Sequence, residues 1–163
     1  IQTALEYEVK VRDTYKDAAD KATEDVGKRI FLQLMEEEQG HVDYLNTRFD
    51  EWERTGKVES AELATILPNR EQIAAGVKTL EKKVSEYDWG VELGLLRNAL
   101  NLESETGSFY KKMVAELDTE GQNLFQRFLE IEDAHYDLVQ AQLDALTGMG
   151  FWYDYQEFSL EKG

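Results

Sequence analysis

Both histidines of this 163-residue chain lie in the same short motif, Glu-x-x-His. The first copy pairs Glu38 with His41, and the second pairs Glu132 with His135. Residues three apart lie on one face of an α-helix, so the Glu and the His of each copy can bind the same partner. Because the motif accounts for every His in the chain, we interpret the repeat as one shared site.

Each motif is preceded by a Glu and a Tyr that are seven residues apart. Glu8 precedes Tyr15, and Glu103 precedes Tyr110. Four-helix bundles that hold two metal ions use one Glu from each of two helices and a Glu-x-x-His from each of the other two. The doubled pattern therefore predicts a dinuclear metal site. Its predicted ligands are Glu8, Glu38, His41, Glu103, Glu132 and His135.

Apolar residues recur at helical spacing in four long segments of the chain. The segments cover about residues 3–26, 28–54 and 87–117, and a fourth follows the turn at 118–121 and ends near 146. Short links near residue 27 and at the 118–121 turn predict two antiparallel helical hairpins. The sequence thus predicts an all-α fold, a ferritin-like antiparallel four-helix bundle with a long crossover between its second and third helices.

The predicted bundle covers residues 1–147, with the crossover at about 56–87. Pro68 and the apolar positions after it predict a short helix inside this crossover. Residues 148–163 form an aromatic C-terminal tail, which we expect to pack on the bundle or on a partner subunit.

Charge balance supports a metal site over the alternative that the motif residues lie on solvated faces of misread helices. All six predicted ligands fall on apolar helix faces, where an uncompensated carboxylate would cost several kcal/mol or take up a proton. No Lys shares these faces, and the one nearby Arg is Arg12. Two divalent cations would balance the four carboxylates. Oxygen and imidazole ligands suit Fe or Mn, and Zn can also occupy such a site.

Composition limits the partners and the compartment. The net charge of −16 argues against nucleic acid and against an anionic membrane surface. No apolar run approaches the roughly 20 residues of a membrane span. The first residues do not resemble a signal peptide, so we expect a cytoplasmic protein. The expected partners are a second copy of the chain in a homodimer and a small oxidant.

Other residues have weaker interpretations. Tyr15 and Tyr110 are either core aromatics or donors of hydrogen bonds to ligating carboxylates, that is, second-shell residues. Glycines of the third helix either permit close packing or leave room for a small oxidant; they are Gly90, Gly94 and Gly107. Acidic residues off the apolar faces are expected to be solvated; they are Glu6, Glu36, Glu37 and Glu105.

The motifs and their flanking residues resemble the rubrerythrin branch of the ferritin-like superfamily over nearly the whole chain. The matching stretches are residues 4–8, 15–16, 31–41, 99–103, 109–111 and 128–135. The resemblance implies a diiron site in which Glu8 and Glu103 are terminal ligands. It further implies that Glu38 and Glu132 bridge the two ions, with one imidazole ligand from each motif.

The chain departs from that family's pattern in two ways. Full-length rubrerythrins carry a rubredoxin domain with four Cys, whereas this sequence has no Cys, so we expect a separate electron-donor protein. Peroxide-reducing members also carry an extra carboxylate one turn after the third-helix ligand, where Thr106 stands here.

The sequence leaves three functions open. The first is an oxidoreductase that reduces hydrogen peroxide or O2 at two Fe ions. The second is ferrous iron oxidation and storage, as in bacterioferritin, for which Met35 is not an obvious haem ligand. The third is a non-catalytic metal-binding bundle.

Overall fold

The computed structural model describes residues 1–59, 61–79, 90–148, 150 and 152–155, which form five α-helices and no strand. The helices are α1 (Gln2–Lys21), α2 (Asp25–Thr55), α3 (Arg70–Thr79), α4 (Gly90–Glu116) and α5 (Thr119–Gly148). The predicted all-α fold, with a short helix in the crossover, is confirmed. None of the helices in these residues has an apolar stretch long enough to span a membrane.

The four long helices pack as two hairpins. α1 lies along α2 and α4 lies along α5, while α1 also contacts α4 and the short α3 contacts α5. The bundle therefore has four sides, between α1 and α2, between α2 and α5, between α5 and α4, and between α4 and α1.

The link between α1 and α2 lies earlier than the sequence predicted. α1 ends at Lys21 and α2 begins at Asp25, so Gly27 lies inside α2 and is buried. A Cβ at Gly27 would lie 2.3 Å from the Trp152 ring, so close packing explains this glycine. The link itself is held by Glu92 of α4, whose Oε1 accepts hydrogen bonds from the Thr23 backbone nitrogen at 2.8 Å and hydroxyl at 2.5 Å. The prediction that α4 begins near residue 87 falls outside the described residues.

Two apolar clusters fill the bundle, one on either side of a polar layer. One cluster includes Leu34 and Leu138, and the other includes Leu45 and Phe128. In α2 and α5 the Glu-x-x-His motifs fall between the members of these two clusters. The polar layer is thus enclosed by hydrocarbon above and below.

The crossover runs across the side between α2 and α5. Tyr44 of α2 donates its hydroxyl hydrogen bond to the Ala61 carbonyl at 2.8 Å, and Arg127 of α5 donates from Nε to the Leu63 carbonyl at 3.2 Å. Leu63 and Leu67 are buried. These contacts cover the side of the bundle on which the two motif helices face each other.

The described part of the C-terminal tail packs on the bundle. Trp152, Tyr153 and Tyr155 are buried, and the ring of Trp152 meets Phe31 edge-on at 5.8 Å. The buried Gln142 side chain fixes this segment, since it donates to the Tyr153 carbonyl at 2.5 Å and accepts from its backbone nitrogen at 2.9 Å. Met149, Phe151 and residues 156–163 of the predicted tail lie outside the described residues.

Candidate metal centre

The structure brings all six predicted ligands together in the polar layer. α1 contributes Glu8, α2 contributes Glu38 and His41, α4 contributes Glu103, and α5 contributes Glu132 and His135. Each is buried, with at most 1% of its surface exposed. The helical period of the sequence explains this placement, because each ligand lies on the face that also carries the buried apolar residues.

His41 lies close to three of the carboxylates. Nδ1 of His41 lies 3.0 Å from Oε2 of Glu8 and 3.0 Å from Oε2 of Glu38. The same nitrogen lies 3.4 Å from Oε1 of Glu132. One ring nitrogen therefore faces carboxylates from three helices.

The second histidine faces the same layer from α5. Nδ1 of His135 lies 2.8 Å from Oε1 of Glu38, 3.9 Å from Oε1 of Glu132 and 4.0 Å from Oε1 of Glu103. The two imidazole rings are parallel to within 4°, with centroids 5.4 Å apart.

The ligand atoms fall into two overlapping sets. Within each set the nitrogen and oxygen atoms lie within 4.8 Å of one another. The first set is Glu8, Glu38, His41 and Glu132, and the second is Glu38, Glu103, Glu132 and His135. The sets share Glu38 and Glu132, so two cations placed in them would have these two carboxylates in common.

Two buried tyrosines bind the remaining carboxylates across the bundle. Tyr15 donates a hydrogen bond to Oε1 of Glu103, and Tyr110 donates one to Oε1 of Glu8. Each Tyr thus donates a hydrogen bond to the Glu of the other helical hairpin. Burial and the nearby carboxylates raise the pKa of both phenols, so both keep their protons.

The carboxylates divide into two electrostatic classes in the metal-free layer. Burial, followed by the charges of Glu132 and Glu38, raises the pKa of Glu8 and of Glu103 well above the usual value. Burial would also raise the pKa of Glu38, but the two imidazoles outweigh burial and lower it.

The nearby carboxylates raise the pKa values of both histidines. Burial alone would lower the pKa of His41, but Glu38 and Glu8 outweigh burial and raise it. For His135, Glu38 and Glu132 likewise outweigh burial and raise the pKa. Without metal, protons therefore partly balance the buried negative charge.

The donor atoms fit two divalent cations. Both oxygens of Glu132 and Oε2 of Glu103 are buried and accept no hydrogen bond from the described residues. No Lys or Arg is among the buried side chains of the described ranges. Buried polar atoms without partners are costly. Metal ions would satisfy these atoms, and the oxygen and imidazole donors suit Fe or Mn.

Glu37 is a site residue that the sequence analysis misjudged. It was expected to be solvated, but it is buried with 7% exposure. A Glu37 carboxylate oxygen and a ring nitrogen of each His lie within 4.8 Å of one another. Its spacing of four residues from His41 was the available signal, because such residues share a helix face. By contrast, Glu6, Glu36 and Glu105 are exposed as expected.

Thr106 occupies the position where the resemblance implied an extra carboxylate in peroxide-reducing members. It is fully buried, and its hydroxyl donates to the Leu102 carbonyl at 3.0 Å. The hydroxyl hydrogen bond of Thr106 is therefore made to the backbone of its own helix, α4.

Comparison with protein families gives a match over most of the chain. A family model described as Rubrerythrin matches residues 1–143. The match includes all six predicted ligands, Glu37 and both tyrosines. Searches of curated proteins and of solved structures find no match to the chain.

Proposed function

Because the chain belongs to the rubrerythrin family, a ferritin-like diiron-carboxylate family, we propose that it is an oxidoreductase that reduces hydrogen peroxide or O2 at a dinuclear iron centre. The observation that carries the proposal is the pair of four-residue donor sets that share Glu38 and Glu132. We assign Glu38 and Glu132 as the bridging ligands, Glu8 and Glu103 as terminal carboxylates, and one imidazole to each ion.

When bound, two Fe(II) ions supply two electrons on oxidation to Fe(III), and one hydrogen peroxide with two protons then gives two water molecules. The chain's own residues hold the ions, keep protons at the layer and limit contact with solvent. Tyr15 and Tyr110 each hold a proton against a carboxylate of the site. The two apolar clusters close the layer above and below.

The electrons that return the ions to Fe(II) come from outside the bundle in this proposal. The sequence has no Cys, and so it offers no thiolate for an iron–sulfur or rubredoxin-type carrier. We therefore propose a separate donor protein as the physiological reductant.

The test is metal analysis together with peroxide consumption. Purified protein loaded with Fe(II) without oxygen is expected to hold two Fe per chain and to consume hydrogen peroxide repeatedly when a chemical reductant is supplied. Retention of many Fe per chain, with little peroxide turnover, would instead support iron storage. Protein that binds two ions but does not turn over would be a non-catalytic bundle.

The two histidines give a sharper version of this test. His41 and His135 belong to different donor sets, so His41→Ala and His135→Ala should each weaken a different metal position. Either variant should lose most of the turnover while far-ultraviolet circular dichroism shows its helices intact. A variant that kept two ions and full turnover would remove that histidine from the ligand assignment.

A further inference from the structure

The four sides of the bundle differ in how they separate the polar layer from solvent. On the side between α2 and α5 the crossover covers the layer, and the Ile66 backbone nitrogen donates to Oε2 of Glu37 at 3.3 Å. On the side between α1 and α4, the rings of Tyr7 and Phe109 stack at 4.8 Å. On the side between α1 and α2, Arg12 donates from Nη1 to Oε1 of Gln39 at 3.0 Å. Three sides are thus spanned by side chains or by the crossover.

The side between α4 and α5 holds an open cavity of about 280 Å³. Two candidate ligands, Glu103 and Glu132, form part of its wall. The rest of the lining is mixed: it includes the hydroxyl-bearing residues Ser104, Ser108 and Tyr136, the charged Lys111 and Asp133, and also Gly107 and Leu129. On this side the wall of a surface cavity thus includes two carboxylate residues of the polar layer, both of which remain buried.

The internal repeat explains why the two hairpins differ here. Glu8 and Glu103 are 95 residues apart, and the same offset relates Arg12 to Gly107. Where Arg12 spans the first hairpin, Gly107 places no side chain between the helices of the second. A Cβ added to Gly107 would meet nothing within 4 Å. The space beside Gly107 is therefore open because this residue has no side chain.

We propose that the cavity between α4 and α5 is the entry site for the oxidant, and that Gly107 sets the size of the molecule admitted. This inference rests on the proposed function and specifies its substrate class as hydroperoxides. The cavity of about 280 Å³ far exceeds the roughly 30 Å³ that a water molecule occupies in the liquid, so it has room for a small alkyl hydroperoxide as well as hydrogen peroxide. The hydroxyls of Ser104, Ser108 and Tyr136 provide hydrogen-bonding groups along the way.

The reaction of an alkyl hydroperoxide balances in the same way as that of hydrogen peroxide. The O–O bond breaks, two electrons come from the oxidation of two Fe(II), and two protons yield one alcohol and one water. The proposed function already names the reductant.

The experiment compares Gly107→Phe with the matched variant Gly94→Phe. Both glycines lie within α4, and at both an added Cβ meets nothing within 4 Å, but Gly94 is exposed and does not line the cavity. The measurements are Fe content, azide binding to the diferric protein by its absorbance, and the rates at which hydrogen peroxide and tert-butyl hydroperoxide oxidise the diferrous protein.

Gly107→Phe is expected to keep two Fe per chain and to slow azide binding and oxidation by tert-butyl hydroperoxide by roughly tenfold or more, because entry would then wait for the helices to part. Hydrogen peroxide should be slowed less, and Gly94→Phe should behave as the parent protein does. If Gly107→Phe fails to fold, Ser108→Trp at the same cavity serves instead, with the same expectations.

Two results would overturn the inference, and they differ in what they say of the proposed function. Full Fe content with parent-like azide binding and parent-like peroxide rates in the blocked variant would overturn the entry site alone. A parent protein that takes up no iron would overturn the proposed function, and the entry site with it.

Discussion

At the scale of single residues, Glu37 links the two histidines to the crossover. One oxygen accepts from the Ile66 backbone nitrogen at 3.3 Å, while Oε1 is buried and makes no hydrogen bond with the described residues. The Nε2 atoms of His41 and His135 are also buried and make no hydrogen bond with the described residues. A Glu37 carboxylate oxygen lies within 4.8 Å of a ring nitrogen of each histidine. A carboxylate that accepts a hydrogen bond from the second ring nitrogen of a ligating imidazole orients the ring and makes it a better ligand.

Replacing Glu37 with Ala is therefore expected to weaken metal binding. Loss of such a partner costs about 10–100-fold in metal affinity. The measurement is a competition titration of Mn(II) against a chelator. Glu36→Ala is the matched control, because Glu36 is the preceding residue of the same helix and is exposed. Equal affinities in the two variants would show that Glu37 does not orient the histidines.

The tyrosines make a second prediction at this scale. In the metal-free protein, Tyr15→Phe and Tyr110→Phe each remove a donor from a buried carboxylate, Glu103 or Glu8. Each change should lower the free energy of unfolding by about 1–3 kcal/mol, measured by urea denaturation. Tyr7→Phe is the control, since its half-buried ring stacks on Phe109 in the parent and that stacking is retained. Equal stability of all three variants would contradict the prediction.

Sequence reasoning reached some of these residues and not others for a physical reason. The six motif residues follow the helical period that also places Leu34 and Leu138 in the core, so their burial could be predicted. Glu37 lies off that face and is buried because the crossover folds over it, as the contact with Ile66 shows. The spacing of four residues from His41 was compatible with this position, but the burial of Glu37 depends on the path of the crossover, which the sequence does not show.

At the scale of elements, α2 depends on a contact between its first turn and the C-terminal segment. Gly27 lies against Trp152, and Gly76 of α3 lies against Tyr153, where an added Cβ would come 1.9 Å from the hydroxyl oxygen. From the sequence we expected Gly27 to lie in the short link between the first two long helices. Its true role could not be predicted, because Trp152 is 125 residues away in the chain.

The same substitution at two glycines of α2 should therefore have opposite effects. Gly27→Ala forces the rigid Trp152 ring to move and should destabilise the protein, whereas Gly40→Ala meets nothing within 4 Å. Gly in a helix interior costs roughly 0.5–1 kcal/mol relative to Ala, so Gly40→Ala should stabilise by about that amount. Thermal unfolding of the two variants, followed by circular dichroism, is the measurement. Stabilisation by both changes would mean that Trp152 does not pack on Gly27.

At the scale of the whole molecule, the polar layer makes stability depend on both pH and metal. Glu8 and Glu103 have pKa values raised above their usual value of 4.5, and His41 has one raised well above 6.5. Groups with a higher pKa in the folded state bind more protons when folded, so their contribution is complete at low pH and is lost as pH rises. That loss begins above 4.5 for the carboxyls and above 6.5 for the imidazole. Glu38 has the opposite sign, and its contribution is lost as pH falls below 4.5.

The metal-free protein is therefore expected to lose stability as pH rises above 4.5, and further above 6.5, while the metal-bound protein is not, because ligands must give up their protons to bind an ion. The gain in melting temperature on adding Mn(II) should grow over this range, since binding to the folded state alone adds to its stability. The measurement is thermal unfolding with Mn(II) and with a chelator across the range.

The double variant Glu8→Gln with Glu103→Gln is the control, because neutral side chains of the same shape should make the stability of the metal-free protein depend less on pH. A metal-free parent whose melting temperature stayed constant or rose with pH would show that these carboxyls are not held protonated, and that the layer balances its buried charge in some other way.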